Sequence, residues 1–275
     1  MKCHRKAIFR NRVGRIALIL SLITVFIWGD NMRLDKEKST DDIQSAFGGY
    51  SVVEGDINGI GFYFVEIPKL NSDGSMIEFK VGVADNKPGS VKTVTEFAAE
   101  KDALITINAG FFHMKDGTNL PYGAVIIDGK PMYNGSPYKN VRNAKTLAIM
   151  ADGTFQYYPS GALDIDAMIA DGVRHAVTGR LPIIINGVEA DYDDSEGKYQ
   201  VIGYDEENYY ILTTEDGVQI SDTADFLLKK GLLEAYVMDG GGSVSTNINA
   251  ERINVKTTTD SKSERKVATF VYAVR

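Results

Sequence analysis

In this 275-residue chain, the stretch best suited to chemistry is a carboxylate followed by three glycines and a hydroxyl, Asp239-Gly240-Gly241-Gly242-Ser243. Glycine loses more backbone entropy on folding than any other residue, so three in a row are costly unless the backbone needs them. They permit positive φ and let bare N–H groups approach a ligand closely. A carboxylate beside such a bend suits an oxygen-rich ligand, a sugar or a phosphate. A tight turn between strands is the plain structural account, but it needs only one or two glycines. A second polar tip, Asn108-Ala109-Gly110, runs into Phe111-Phe112-His113. An amide at one tip and a carboxylate at the other can act together if both strands end at one edge of a sheet. Asn108 also fits a turn residue satisfied by nearby backbone. His113 follows that loop as a candidate polar group, although a surface or structural role is commoner for a histidine. Phe111 and Phe112 suit a core better than a sugar platform.

Both tips follow apolar runs that read as buried strands, Ala103 to Ile107 and Ala235 to Met238. Around them, Gly61 to Ile67 and Met76 to Val83 are strand-like runs separated by the turn cluster Asn71-Ser-Asp-Gly74. Asp128-Gly129, Asp152-Gly153 and Asn186-Gly187 are hairpin signals. Tyr199 to Tyr204 and Tyr209 to Thr213 form a further pair, and Val267 to Val274 is a last strand. Helices are expected at Thr93 to Lys101, Asp164 to Ala170 and Ser221 to Lys230, the last stopped by Gly231. The pattern predicts an α+β class: one β-rich domain, a largely antiparallel sheet with a few flanking helices. The acidic run Asp191-Tyr-Asp-Asp-Ser-Glu196 lacks the spacing of a calcium loop and reads as a solvated loop.

Composition is that of an ordinary globular protein, 44% hydrophobic and 24% charged. The first 33 residues hold seven Lys and Arg but one acid, which leaves the rest at a net charge of −13. So acidic a body argues against nucleic acid as a partner. Residues 1–15 are basic, and Ile16 to Trp28 is apolar apart from Ser21 and Thr24. That is a signal peptide or membrane anchor over 1–29, with the body exported and cleavage left open. Residues 30–47 are polar and read as a tether to a domain over 48–275. Cys3, the only cysteine, lies in the leader, so the body has no disulfide or thiol chemistry. With His113 and His175 as the body's histidines, zinc is not expected.

Ile107-Asn-Ala-Gly-Phe-Phe112, Pro121-Tyr-Gly-Ala-Val-Ile-Ile-Asp-Gly129, Pro182-Ile-Ile-Ile-Asn-Gly187, Val201-Ile-Gly203, Val237-Met-Asp-Gly-Gly-Gly-Ser243 and Ser263-Glu-Arg-Lys-Val-Ala268 occur in that order. Together they resemble the phosphodiester glycosidase family, over roughly Asn58 to Arg275. The resemblance implies hydrolysis of a sugar-1-phosphodiester to free sugar and a phosphomonoester. It assigns catalysis to Asp239 and Asn108. By position it gives substrate binding to the bend Gly240, Gly241, Gly242, Ser243; beside it, Gly110, His113, Arg174 and Arg265 are further candidates for binding substrate. Backbone N–H groups of the bend would hold phosphodiester oxygens, and Asp239 would act as acid–base or stabilise a cationic sugar centre. Glycosidases generally use two carboxylates; Asp128, Glu264 and a metal-held water remain candidates for the second role. No metal ligand is assigned and no cofactor is certain, although a divalent cation is left open. Many relatives have arginine where this chain has Tyr199. Either a phosphate clamp falls to Arg174, Arg180 or Arg265, or the substrate differs, or activity is weak. The expected partner is an envelope or extracellular glycan or a sugar phosphate, with the membrane itself if the leader is not cut. The alternative is a glycan-binding or surface-assembly module that keeps the pocket without turnover. A metal-dependent phosphodiesterase that leaves the sugar intact is a third reading.

Overall fold

The computed structural model describes residues 34–38, 49–140, 144–160, 163–254 and 264–274. The basic and apolar leader lies outside the described residues, as does most of the stretch read as a tether. Within that stretch Leu34–Lys38 pairs with Ser51–Ile57 at a sheet edge. A short, highly charged sequence is what an edge strand tolerates, because its charges oppose pairing with another chain.

Every named strand pair among the described residues is antiparallel. A large eight-stranded sheet runs 34–38, 51–57, 60–68, 208–214, 200–204, 234–237, 181–185 and 188–189 in spatial order. A central five-stranded sheet runs 251–252, 246–248, 103–108, 269–274 and 79–83. A side sheet, also five-stranded, runs 130–134, 124–127, 173–178, 145–150 and 155–159. One apolar core takes residues from all three, among them Val65 and Ile211, Ile107 and Val271, and Leu147 and Val177. Their shared burial makes this one domain.

Each sheet turns its other face to a helix. Helix α1 (Val94–Lys101) covers the central sheet, with Phe97 stacked on Phe270 at 3.9 Å between ring centroids. Its start is fixed by a reciprocal capping box between Thr93 and Glu96. Helix α2 (Ile165–Ala170) is capped by Asp164 and lies on the side sheet through Ile165 and Met168. Helix α3 (Ile220–Lys229) closes the large sheet with Ile220, Ala224, Phe226 and Leu227. Its first turn is held by the acidic run 191–196, where Asp194 accepts from the Ser221 backbone N–H and hydroxyl. With a helix on one side and the core on the other, the strand Ala103–Asn108 is buried along its whole length. This is why it reads as an unbroken apolar run.

The Asp128-Gly129 and Asn186-Gly187 pairs form two-residue hairpins with positive φ at all four residues. Asp152-Gly153 differs: Ile149 pairs with Phe155, and Asp152 caps the wider loop by accepting from Thr154. The strand Ser51–Ile57 has few apolar residues and escapes a reading by hydrophobicity. Its signal is Asn58-Gly59, the two-residue turn that joins it to Ile60–Pro68.

Candidate active site

The two polar tips meet. The Asp239 backbone N–H donates to the Ala109 carbonyl at 2.8 Å, joining the end of the strand Glu234–Val237 to the end of Ala103–Asn108. Asn108 is fully buried. Its Nδ2 donates to the Asp239 carbonyl at 2.6 Å, and its Oδ1 accepts from the Ser245 backbone N–H at 3.0 Å. Asn108 therefore braces the glycine bend at two points from behind. The expectation that its amide faces the ligand is corrected: satisfying two buried backbone groups leaves it in the interior.

In front of this brace lies a cavity of about 330 Å3 to which Asp239, Ser243 and Arg265 contribute. Burial pushes the Asp239 carboxyl up to about 7. It does so against the Ser243 hydroxyl, the Arg265 charge, the Gly240 backbone and the Arg180 charge, which all favour the ionised form. Arg265 also donates to the Ser243 hydroxyl at 3.4 Å. Arg180 donates to Ser195 Oγ at 2.9 Å and lies over the Tyr199 ring, 5.7 Å from its centroid. Tyr199 is buried, with its hydroxyl on the Ser195 carbonyl at 2.6 Å. Tyr199 thus forms the platform beneath Arg180.

The three glycines are required for separate reasons. A Cβ at Gly240 would stand 2.5 Å from the Lys198 carbonyl oxygen, and one at Gly242 would stand within 2.4 Å of the Arg265 guanidinium. Gly241 has φ of +61°. The bend thus seats Arg265, and two of its N–H groups are engaged within the chain. The Gly241 N–H goes to Lys198 and the Ser243 N–H to Gly240. Gly240, Gly241 and Gly242 do not line the cavity, whereas Ser243 does.

The opposite wall is aromatic. Phe111 stacks on Tyr138 at 4.0 Å, Tyr122 stands edge-on to Tyr138 at 4.9 Å, and His113 lies flat on Tyr122 at 3.9 Å. Phe111 and Phe112 are buried as core residues, yet both contribute to this wall. His113 Nδ1 lies 3.2 Å from Asp116 Oδ2, and Asp116 also lines the cavity. Hydrogen bonds from the Thr118 hydroxyl and backbone hold the Asp116 carboxyl below the usual range. The cavity therefore holds one carboxyl raised toward neutrality and one held below the usual range, the kind of separation that acid–base chemistry uses. The sequence offered no motif for Asp116. It lies in the polar loop just after Phe112, the one cue available.

Four expected residues fall outside the cavity. Gly110 is structural: its N–H donates to Thr269 Oγ1 at 2.8 Å, and a Cβ there would meet the Thr178 carbonyl oxygen at 2.7 Å. Arg174 sits at the Asp128-Gly129 turn, 3.8 Å from Asp128, four residues along the strand from Thr178. At a strand's rise that is about 13 Å away. Asp128 is therefore excluded as the second carboxylate. Glu264 is taken up by the Ser245 hydroxyl at 2.6 Å and the Thr95 N–H of α1 at 3.3 Å. It anchors the segment that carries Arg265.

A family model described as phosphodiester glycosidase matches residues 101–274. Human N-acetylglucosamine-1-phosphodiester alpha-N-acetylglucosaminidase is 26% identical over 184 residues, covering 57% of this chain and 34% of that protein. An SPbeta prophage-derived uncharacterized protein of Bacillus subtilis, YomE, is 24% identical over 177 residues, covering 59% of this chain and 27% of that protein. The chain thus spans about a third or less of the length of these curated relatives. Among solved structures, the zebrafish N-acetylglucosamine-1-phosphodiester alpha-N-acetylglucosaminidase catalytic domain, auto-inhibited by its pro-peptide, superposes with a TM-score of 0.59. Identity there is 18%, over 89% of this chain and 82% of that one. A hypothetical protein from Synechocystis gives a TM-score of 0.57 at 14% identity, over 83% and 62% of the two chains. These structural likenesses bear on the fold.

Proposed function

Because the chain belongs to the phosphodiester glycosidase family, we propose that it hydrolyses a sugar-1-phosphodiester, releasing free sugar and leaving a phosphomonoester on the second partner. The observation that carries this reading is Asp239, a carboxyl raised to about 7 in a cavity it shares with Arg265 and an aromatic wall. In this mechanism Asp239 gives its proton to the oxygen bridging the anomeric carbon and phosphorus, and the carbon–oxygen bond breaks. Arg265, with Arg180 behind it, offsets the phosphate charge. Asp116, oriented by His113 and Thr118, takes a proton from the water that adds to the anomeric carbon, and the aromatic wall receives the sugar face. The basic and apolar leader supports action outside the cytoplasmic membrane, on envelope or extracellular glycans. A binding module without turnover was motivated by the missing arginine; the two arginines acting on Asp239 weigh against it.

The test is incubation of the purified protein with a nitrophenyl or nucleotide sugar-1-phosphodiester. Free sugar and a phosphomonoester are expected, with Asp239→Asn slowing release by about 10²- to 10⁴-fold. Full activity in that variant would remove Asp239 from the mechanism. A sugar phosphate as product would establish phosphodiester cleavage at phosphorus instead. Tight binding without product would favour the binding module.

A further inference from the structure

At the far end of the side sheet, away from the cavity, three potential ligands converge. His175 on the strand Val173–Thr178 is fully buried, and its Nε2 has no hydrogen-bond partner. That nitrogen lies 3.7 Å from Glu78 Oε1 and 3.7 Å from Asp128 Oδ1. All three ligand atoms fall within 4.8 Å of one another. An orphaned buried polar atom costs free energy, and here it points at two carboxylate oxygens just beyond hydrogen-bond reach. Ligands held about 2.1 Å from a tetrahedral cation stand about 3.4 Å apart, so the carboxylates must close from 3.7 Å on the imidazole nitrogen and from within 4.8 Å on each other. Both carboxylates are free to move, since Glu78 and Asp128 are exposed to 46% and 54%.

We propose that Glu78, Asp128 and His175 form a divalent-cation site that clamps the central sheet to the side sheet. One imidazole and two carboxylates suit a first-row cation of the Zn2+ or Mn2+ kind, with water completing its shell. Glu78 immediately precedes the central-sheet strand Phe79–Val83, whereas Asp128 and His175 belong to the side sheet. The cation therefore joins the start of a central-sheet strand to the side sheet. The surrounding charges allow it. Lys80 lies 3.3 Å from Glu78 Oε2 and the half-exposed Arg174 lies 3.8 Å from Asp128, and each gives up its carboxylate contact to the cation. One contact must change. The Asp128 backbone N–H reaches His175 Nδ1 at 3.3 Å, which keeps the ring proton on Nε2. On binding, the proton moves to Nδ1, the long contact opens and Nε2 takes the cation, with no net gain or loss of protons by the neutral ring.

The test is calorimetric titration of chelator-stripped full chain with Zn2+ and, separately, Mn2+, together with thermal unfolding at each concentration. One equivalent is expected to bind with at least one of the two ions, and the melting temperature to rise with free cation as linkage requires. Glu78→Gln and Asp128→Asn, conservative and exposed, should each weaken binding by at least about tenfold, the scale seen when even a group supporting a ligand is lost. Both should remove the thermal shift and keep the wild-type circular dichroism. No stoichiometric binding of either ion, or binding that survives both substitutions, would overturn the site. Because the readout is binding and unfolding, the outcome is independent of the glycosidase reading.

Discussion

At the residue scale the site turns on one carboxyl whose surroundings oppose each other. Burial raises Asp239 to about 7, while Ser243, Arg265 and Arg180 pull it down, so it is poised instead of simply neutral or simply charged. This poise has a cost that can be measured. An unfolded aspartate ionises near 3.8, so between about 4 and about 7 the folded chain holds a proton that the unfolded chain has lost. Stability from this group therefore falls as pH rises through that window, and the cost is full above it. Asp239→Asn carries no charge at any pH. It should melt higher than wild type near pH 8 and about equally near pH 4, while losing activity at both. A melting difference that does not change with pH would show that the carboxyl is not held protonated by the fold. Gly242 belongs to the same scale, being required because a guanidinium occupies the place of its side chain.

At the element scale the question is what holds a glycine-rich bend still. The answer is the last residue of a neighbouring strand. Asn108 ties the Asp239 carbonyl to the Ser245 N–H, and Ser245 in turn carries Glu264, which docks on the start of α1. The bend, the helix and the segment holding Arg265 are thereby one unit. Asn108→Ala would leave two buried backbone groups unpaired, at about 1–3 kcal/mol each. Chemical denaturation should show that loss, and turnover should fall more than substrate affinity because Asp239 is released from its position. A fall in affinity alone would mean that Asn108 touches substrate after all.

Across the whole molecule, three sheets share one core but also meet through a polar joint. Glu234 on the large sheet is buried; Tyr157 on the side sheet donates to its Oε2 at 2.6 Å, and the Asn186 N–H donates to its Oε1 at 2.9 Å. Removing one donor leaves a buried carboxylate short of a partner. Tyr157→Phe conserves the volume and should lower the denaturation midpoint by about 1–3 kcal/mol equivalent, with unchanged slope and unchanged activity. A changed slope would mean that the sheets separate before the core opens.

Much of this architecture was legible from local patterns. The capping box at Thr93, the hairpins at Asp128-Gly129 and Asn186-Gly187, and the buried strands leading into Asn108 and Asp239 are all written in neighbouring residues. Local sterics and alternation determine such features directly. So too the demand for three glycines marked the bend before its use was known. The sequence did not show which polar atoms face the cavity. Asn108 and Gly110 turned inward, Arg174 fell at the far end of its strand, and Asp116 arrived from a loop without a motif, while Arg265 and Arg180 were among three arginines that the sequence could not rank. Strand register and the stacking of three sheets decide those positions, because residues far apart in the chain become neighbours only when every intervening pairing is fixed.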